Sequence, residues 1–190
     1  EFEAGDPRKD ATLYNADVKL TKYNKAFMNT GYFNKKYMAL SAYIGSGGDP
    51  SHNFPRNFID IRYADVLLMA SELFLTDNPA KATNYFNQVR TRSLGAGAAL
   101  ASVTLDNIYH ERRVEFGGEG LRKWDLLRRG NDYAAAKINA SFNVPQGIPN
   151  PADFTPRTFK ATTWGMFPIP AAEIRNTNSG VLKQMVPAYK

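Results

Sequence analysis

The sequence contains no cysteine and only two histidines, His52 and His110. Disulfide frameworks and thiolate metal sites are therefore excluded. Neither histidine sits in an HExxH pattern, so the several convergent ligands of a zinc site are not in place. No stretch approaches the ~20 consecutive apolar residues of a membrane-spanning helix. The most apolar one, 64–75, is broken by Asp65, Ser71 and Glu72. There is no GxSxG and no Walker loop. Gly117-Gly118-Glu119-Gly120 lacks the Lys-Ser/Thr of a phosphate-binding loop and the strand that precedes a dinucleotide site. These glycines read as a helix stop and a point of close approach.

Charge of one sign is also scarce. Lys plus Arg number 24 and Asp plus Glu 18, a formal charge of +6 over 190 residues. The densest basic cluster, Arg122 to Arg129, is interleaved with Trp124, Asp125 and two leucines. A nucleic-acid site needs a basic stripe with few intervening acids, so no nucleic-acid partner is expected. With 12 Phe, 10 Tyr and 2 Trp, the chain has enough large apolar surface for a core.

The pattern predicts three stretches. Residues 1–57 read as a loop-rich segment that packs on something else, with Lys36 to Leu40 extended and Gly45 to Ser51 a loop. Tyr32, Phe33, Tyr37 and Tyr43 lie in it, where sugar-stacking rings could sit. Residues 58–140 read as a helical core. Tyr63, Val66, Leu67, Ala70, Leu73 and Phe74 recur at helical spacing, and Leu68, Met69 and Leu75 lie off that stripe. A helix so apolar is expected to be buried on most of its circumference. Asn78 suits an N-cap and Pro79 the first helical position of a second helix, with Ala82, Tyr85, Phe86 and Val89 facing inward. Thr104 caps a third helix that stops near Gly117-Gly118. A fourth spans about 121–129 and ends at Gly130, and a fifth covers about 132–140. Residues 141–190 read as a Pro-rich loop and a C-terminal segment, extended near 164–169 and with at most one short helix.

Glu111 and Glu115 are the chemically suggestive pair. At i, i+4 they share a helix face, and like charges there repel by a few tenths of a kcal/mol (about 0.2–0.5). One reading is a glycosidase acid and base. The other is an ion network that locks helices together, since arginines outnumber the acids nearby and keep them ionised. The second predicts a network of Glu111, Glu115, Arg90, Arg122 and Asp125.

Four motifs, in order, resemble the SusD/RagB family: Arg62-Tyr63-Ala64-Asp65-Val66-Leu67-Leu68-Met69-Ala70-Ser71-Glu72; Asn87-Gln88-Val89-Arg90-Thr91-Arg92; Glu111-Arg112-Arg113-Val114-Glu115-Phe116 with Glu119-Gly120-Leu121-Arg122-Lys123-Trp124-Asp125-Leu126-Leu127-Arg128-Arg129-Gly130; and Phe167-Pro168-Ile169-Pro170-Ala171-Ala172-Glu173-Ile174. Gly5-Asp6-Pro7-Arg8 and Gly31-Tyr32 fit the region leading into this core. Ser71 stands where alanine is usual in that family.

The resemblance implies a mainly α fold of tetratricopeptide-like helix pairs with long irregular loops, part of a larger SusD-like protein. It implies a nutrient-binding lipoprotein on the extracellular face of the Bacteroidetes outer membrane. Such a protein captures glycan for import through a SusC-like TonB-dependent transporter, without catalysis. From the residues themselves, no cofactor and no metal-ligand set is expected. The signal and lipid-bearing cysteine would lie upstream. The resemblance assigns no ligand-contact residue. Two alternatives remain: a carbohydrate-active enzyme using Glu111 and Glu115, and a helical-repeat scaffold that binds only protein.

Overall fold

The computed structural model describes residues 1–25, 29–38, 59–142, 158–177 and 181–189. Tyr43, His52, the 45–51 loop and the prolines of 145–156 lie outside the described residues. The chain is mainly helical and divides into two units, one of residues 1–23 with 31–120, the other of 24–30 with 121–190.

The first unit opens with a short helix, α1 (Arg8–Thr12). Strand β1 (Leu13–Asn15) follows, then α2 (Ala16–Lys19), which Asn15 caps by accepting a bond from the Val18 amide. Strand β2 (Tyr32–Asn34) pairs antiparallel with β1, Tyr14 opposite Phe33. The extended segment expected from Lys36 starts instead as a 3-10 turn, Lys35–Tyr37, because Asn34 accepts from the Lys36 amide and initiates a turn.

Three longer helices carry the core: α3 (Tyr63–Phe74), α4 (Pro79–Leu94) and α5 (Leu105–Glu115). The capping residues act as the sequence predicts. Asn78 accepts from the Lys81 amide at 3.0 Å with Pro79 in the first turn. Thr104 and Asn107 form a reciprocal capping box. The four-residue link 75–78 makes α3 and α4 antiparallel neighbours. Across this hairpin the buried Ser71 donates to the Ala82 carbonyl at 2.8 Å. Ala82, Phe86 and Val89 of α4 are buried, and Ile108 and Tyr109 of α5 join them.

The buried side of α3 differs from the predicted stripe. Ala64, Asp65, Leu67, Leu68 and Ser71 face inward, whereas Tyr63, Val66 and Leu73 are exposed. The helix is apolar nearly all round, so periodicity alone does not choose its inner side. Two short side chains choose it: Ala64 and Ser71 allow α3 to sit close to its neighbours. Asp65 sits on the same side because Arg112 donates to it at 2.6 Å from α5.

The second unit contains α6 (Arg122–Arg128), α7 (Asn131–Phe142) and α8 (Ala171–Asn176). Leu126, Asp125 and Ala134 are buried there. The segment 164–169, expected to be extended, begins with a turn. Trp164 adopts φ +52° and Gly165 φ +68°, with the Leu127 side chain closing over the position a Gly165 Cβ would take. Two successive left-handed residues reverse the chain and preclude a strand. Among the described residues no helix is long and apolar enough to cross a membrane.

Candidate functional site

The acidic end of α5 is the electrostatic centre of the first unit. Glu111 and Glu115 both face inward, with side chains 0% and 4% exposed. Burial at this level demands compensating charge. Arg8, brought back over α5 by α1, donates to Glu111 and lies 3.4 Å from Glu115. Its other edge donates to Asp6 from Nε and Nη2. Arg90 of α4 donates to Glu111 at 3.2 Å, to Glu3 and to the Ala98 carbonyl. Arg92, in the last turn of α4, donates to Glu115 at 2.5 Å.

Arg62 completes the far side. It stands just before α3 and donates from Nε and Nη2 to both oxygens of Glu119, each at 2.9 Å. Its Nη1 reaches Glu115 at 2.9 Å, and Nη2 also bonds the Glu115 carbonyl at 3.1 Å. That carbonyl is one of the last in α5, where helix dipole and unpaired acceptors favour a cation. The guanidinium carbon lies 4.7 Å from the Phe116 ring centroid. Lys36 adds bonds to the same carbonyl and to Glu119. Gly118, at φ +81°, makes the turn that carries Glu119 back to this cluster, and Asn34 donates to its carbonyl at 2.7 Å.

The protonation states follow from this geometry. Burial pushes the Glu115 carboxyl up, but the hydrogen bonds and charges of Arg62 and Arg92 outweigh it and hold the group below the usual carboxylate range. For Asp6, burial is likewise outweighed by Arg8. Burial weakens the charge on Arg8 and Arg62, yet their carboxylate partners leave both more firmly protonated than usual. Glu3, Asp6, Glu111, Glu115 and Glu119 are matched by Arg8, Lys36, Arg62, Arg90 and Arg92, so the formal charges of the cluster cancel.

Of the network predicted from sequence, Glu111, Glu115 and Arg90 are brought together. Arg122 and Asp125 belong to the second unit, where the buried Asp125 pairs with Arg128 at 3.3 Å and burial depresses the basicity of Arg122. Asp6, Arg8, Lys36, Arg62 and Glu119 are the members that charge spacing within one helix could not reveal. The Gly5-Asp6-Pro7-Arg8 motif was the one sequence signal for the first two.

A cleft of about 300 Å³ opens beside the cluster, with Thr12, Tyr37, Ile59, Arg62, Arg92 and Glu115 among its walls. Glu111 does not line it. Thr12 Oγ1 is buried and has no hydrogen-bond partner among the described residues. Of the candidate stacking rings, Tyr32 and Phe33 are 49% and 43% exposed on β2, with Tyr23 edge-on to Phe33 at 6.0 Å. His110 is exposed, and no group of three or more potential metal ligands occurs among the described residues.

Comparison with known proteins gives a consistent result. The model described as the SusD family matches residues 6–189. The chain is 29% identical over 175 residues to SusD-like protein P2 of Formosa agariphila, covering 85% of this chain and 31% of that protein. It is 30% identical over 141 residues to a SusD-like protein of Bacteroides ovatus, covering 67% and 25% of the two chains. SusD-like protein P25 of Formosa agariphila is 38% identical over 104 residues, 51% of this chain and 20% of that one. Among solved structures, a laminarin-binding SusD-like protein is similar with a TM-score of 0.71 and 29% identity, over 90% of this chain and 34% of that chain. The chain thus spans between a fifth and about a third of the length of these relatives.

Proposed function

The chain belongs to the SusD family, and from that premise we propose that it is part of a non-catalytic protein that binds glycan at the cell surface. The observation that carries this reading is the likeness, over 90% of the chain, to a protein that binds laminarin. In this reading the parent protein is lipid-anchored on the extracellular face of the outer membrane. It hands its ligand to a SusC-like TonB-dependent transporter.

The carbohydrate-active enzyme is the poorer alternative. Glu111 has no exposed side-chain surface, and Arg8 and Arg90 hold it; Glu115 is clamped by Arg62 and Arg92. A general acid must reach the glycosidic oxygen, and a base or nucleophile the opposite face of the sugar. Carboxylates committed to arginines inside a helix packing cannot do so. Their role in this reading is to clamp helices. A scaffold that binds only protein shares the fold but has no need of a glycan site.

The test is affinity electrophoresis of the full-length polypeptide in gels containing laminarin and other glycans, alongside assay for released sugar. Retardation without product supports the proposal, with affinities of tens of micromolar to millimolar, about −4 to −6 kcal/mol. Product release favours the enzyme. Mobility unchanged by any glycan, with retention on the transporter, favours the scaffold.

A further inference from the structure

We propose that the cleft beside the charge cluster is a subsite for an acidic saccharide, one that carries a carboxylate or a sulfate ester. The cluster is neutral as a whole, but its charges are unevenly placed. Among the described residues, Arg8, Lys36, Arg62 and Arg92 line the cleft against Glu115 and Glu119, whereas Glu3, Asp6, Glu111 and Arg90 do not line it. Arg8 is answered away from the cleft by Asp6 and Glu111. The rest of the wall sets Lys36, Arg62 and Arg92 against two carboxylates, so the cleft side keeps a positive excess.

Arg92 is the most available of these cations. Its side chain is 56% exposed, and of the several N–H donors of its guanidinium one is engaged, by Glu115 Oε1. That oxygen also accepts from Arg62, so two arginines share one counter-charge. Lys36 spends two donors, on the Glu115 carbonyl and on Glu119, and its ammonium has a third. An arginine with an open edge pairs in two-pronged fashion with an anionic oxygen group, more strongly than with a neutral hydroxyl. The other walls suit a sugar ring better than a bare ion. Tyr37 and the half-exposed Ile59 offer apolar surface on which the C–H face of a ring can pack. The volume of about 300 Å³ lies at the lower end of small-molecule sites, room for the end of a short saccharide. Thr12, also on the wall, has a buried hydroxyl without a partner among the described residues, an unusual state for a buried polar group. A ligand oxygen is the kind of acceptor it lacks. This inference rests on the glycan-binding reading and narrows it, at this cleft, to charged glycans.

The experiment is isothermal titration of the full-length protein with glucuronate, glucose 6-sulfate, glucose and inorganic sulfate, at one ionic strength. The expected result is binding of at least one of the two acidic sugars, with glucose and inorganic sulfate each weaker. Which acidic sugar binds separates carboxylate from sulfate ester. Arg92→Ala should lower that affinity roughly ten- to hundredfold, the worth of a charge-assisted hydrogen bond. Ile59→Glu, which sets a negative charge at an exposed position on the cleft wall, should lower it too, and it stands if Arg92→Ala fails to fold. Equal affinity for glucose, inorganic sulfate bound as tightly as the sugars, affinity unmoved by the variants, or no binding of either acidic sugar would each overturn the proposal. Retardation by neutral glycans in the gels above, with no acidic sugar bound here, would sink this subsite and leave the glycan-binding reading standing. Absence of any glycan binding would sink both.

Discussion

The guanidinium of Arg62 meets the carboxylate of Glu119 fork to fork, two parallel bonds of 2.9 Å, while a third arm reaches Glu115. One residue before α3 is thereby tied both to the end of α5 and to the turn that follows it. Arg62→Lys keeps the charge and loses the planar fork. It is expected to destabilise the full-length protein by about 2 kcal/mol, the scale of one charge-assisted hydrogen bond. Urea unfolding of the two proteins measures it, and an unchanged midpoint removes the clamp.

Glu115→Gln strikes the same cluster from the acidic side. The largely buried Arg8 and Arg62, together with the more exposed Arg92, would lose a shared counter-charge, at a cost of about 3–5 kcal/mol. A melting temperature equal to that of the parent would refute the network.

The Glu115 carboxyl is held below its ordinary value near 4.5. A depressed acid contributes stability that is fully present above the unfolded-state value and is lost as pH falls through the folded-state value. Thermal stability is therefore expected to fall progressively from about pH 5 downward. In Glu115→Gln that part of the slope should flatten. Melting curves at successive pH values for both proteins report the difference, and parallel curves would contradict the assignment.

Ser71 supplies a second, neutral link between helices. Its hydroxyl is fully buried and donates to the Ala82 carbonyl at 2.8 Å. Ser71→Ala should cost about 0.5–1.5 kcal/mol, the net worth of one such bond. Ser71→Leu should cost more, about 1–3 kcal/mol or above, because α3 and α4 leave no room for the added carbons. If leucine is tolerated as well as alanine, the close approach of the two helices is wrong.

Gly118 and Asn34 form a coupled pair. A Cβ at Gly118 would lie 2.6 Å from Asn34 Nδ2, and the φ of +81° already disfavours any side chain. Gly118→Ala should cost about 1–3 kcal/mol of strain, plus the displaced Asn34 bond. Asn34→Ala removes that bond and the obstacle together. In a double-mutant cycle the Gly118→Ala penalty should shrink in the Asn34→Ala background; strict additivity would show that the two do not touch.

Local signals were legible because their physics is local. Asn78, Pro79, Thr104 and the Gly117-Gly118 stop act within a turn or two of themselves, and their elements lie where the sequence predicts. The Glu111–Glu115–Arg90 cluster was legible because its acids share a helix face and the order of motifs brings α4 beside them. Arg8 was not, because it lies 103 residues from Glu111 and only the tertiary fold brings them together. On α3 the apolar pattern runs around the whole helix, so short Ala64 and Ser71, together with the needs of Arg112, selected the inner side.

Arg8 carries a lesson about where this fold can be cut. A polypeptide begun just after it would keep each long helix, the Thr104–Asn107 capping box and nearly all the greasy interior. It would still strand Glu111 beside Arg90 alone, and Glu115 would give up a neighbour as well. Any shortened version that keeps this cluster intact thus reaches back at least to Asp6, more than fifty residues ahead of the first long helix. Secondary-structure boundaries are the wrong guide to trimming here; the scissors must follow the counter-ions.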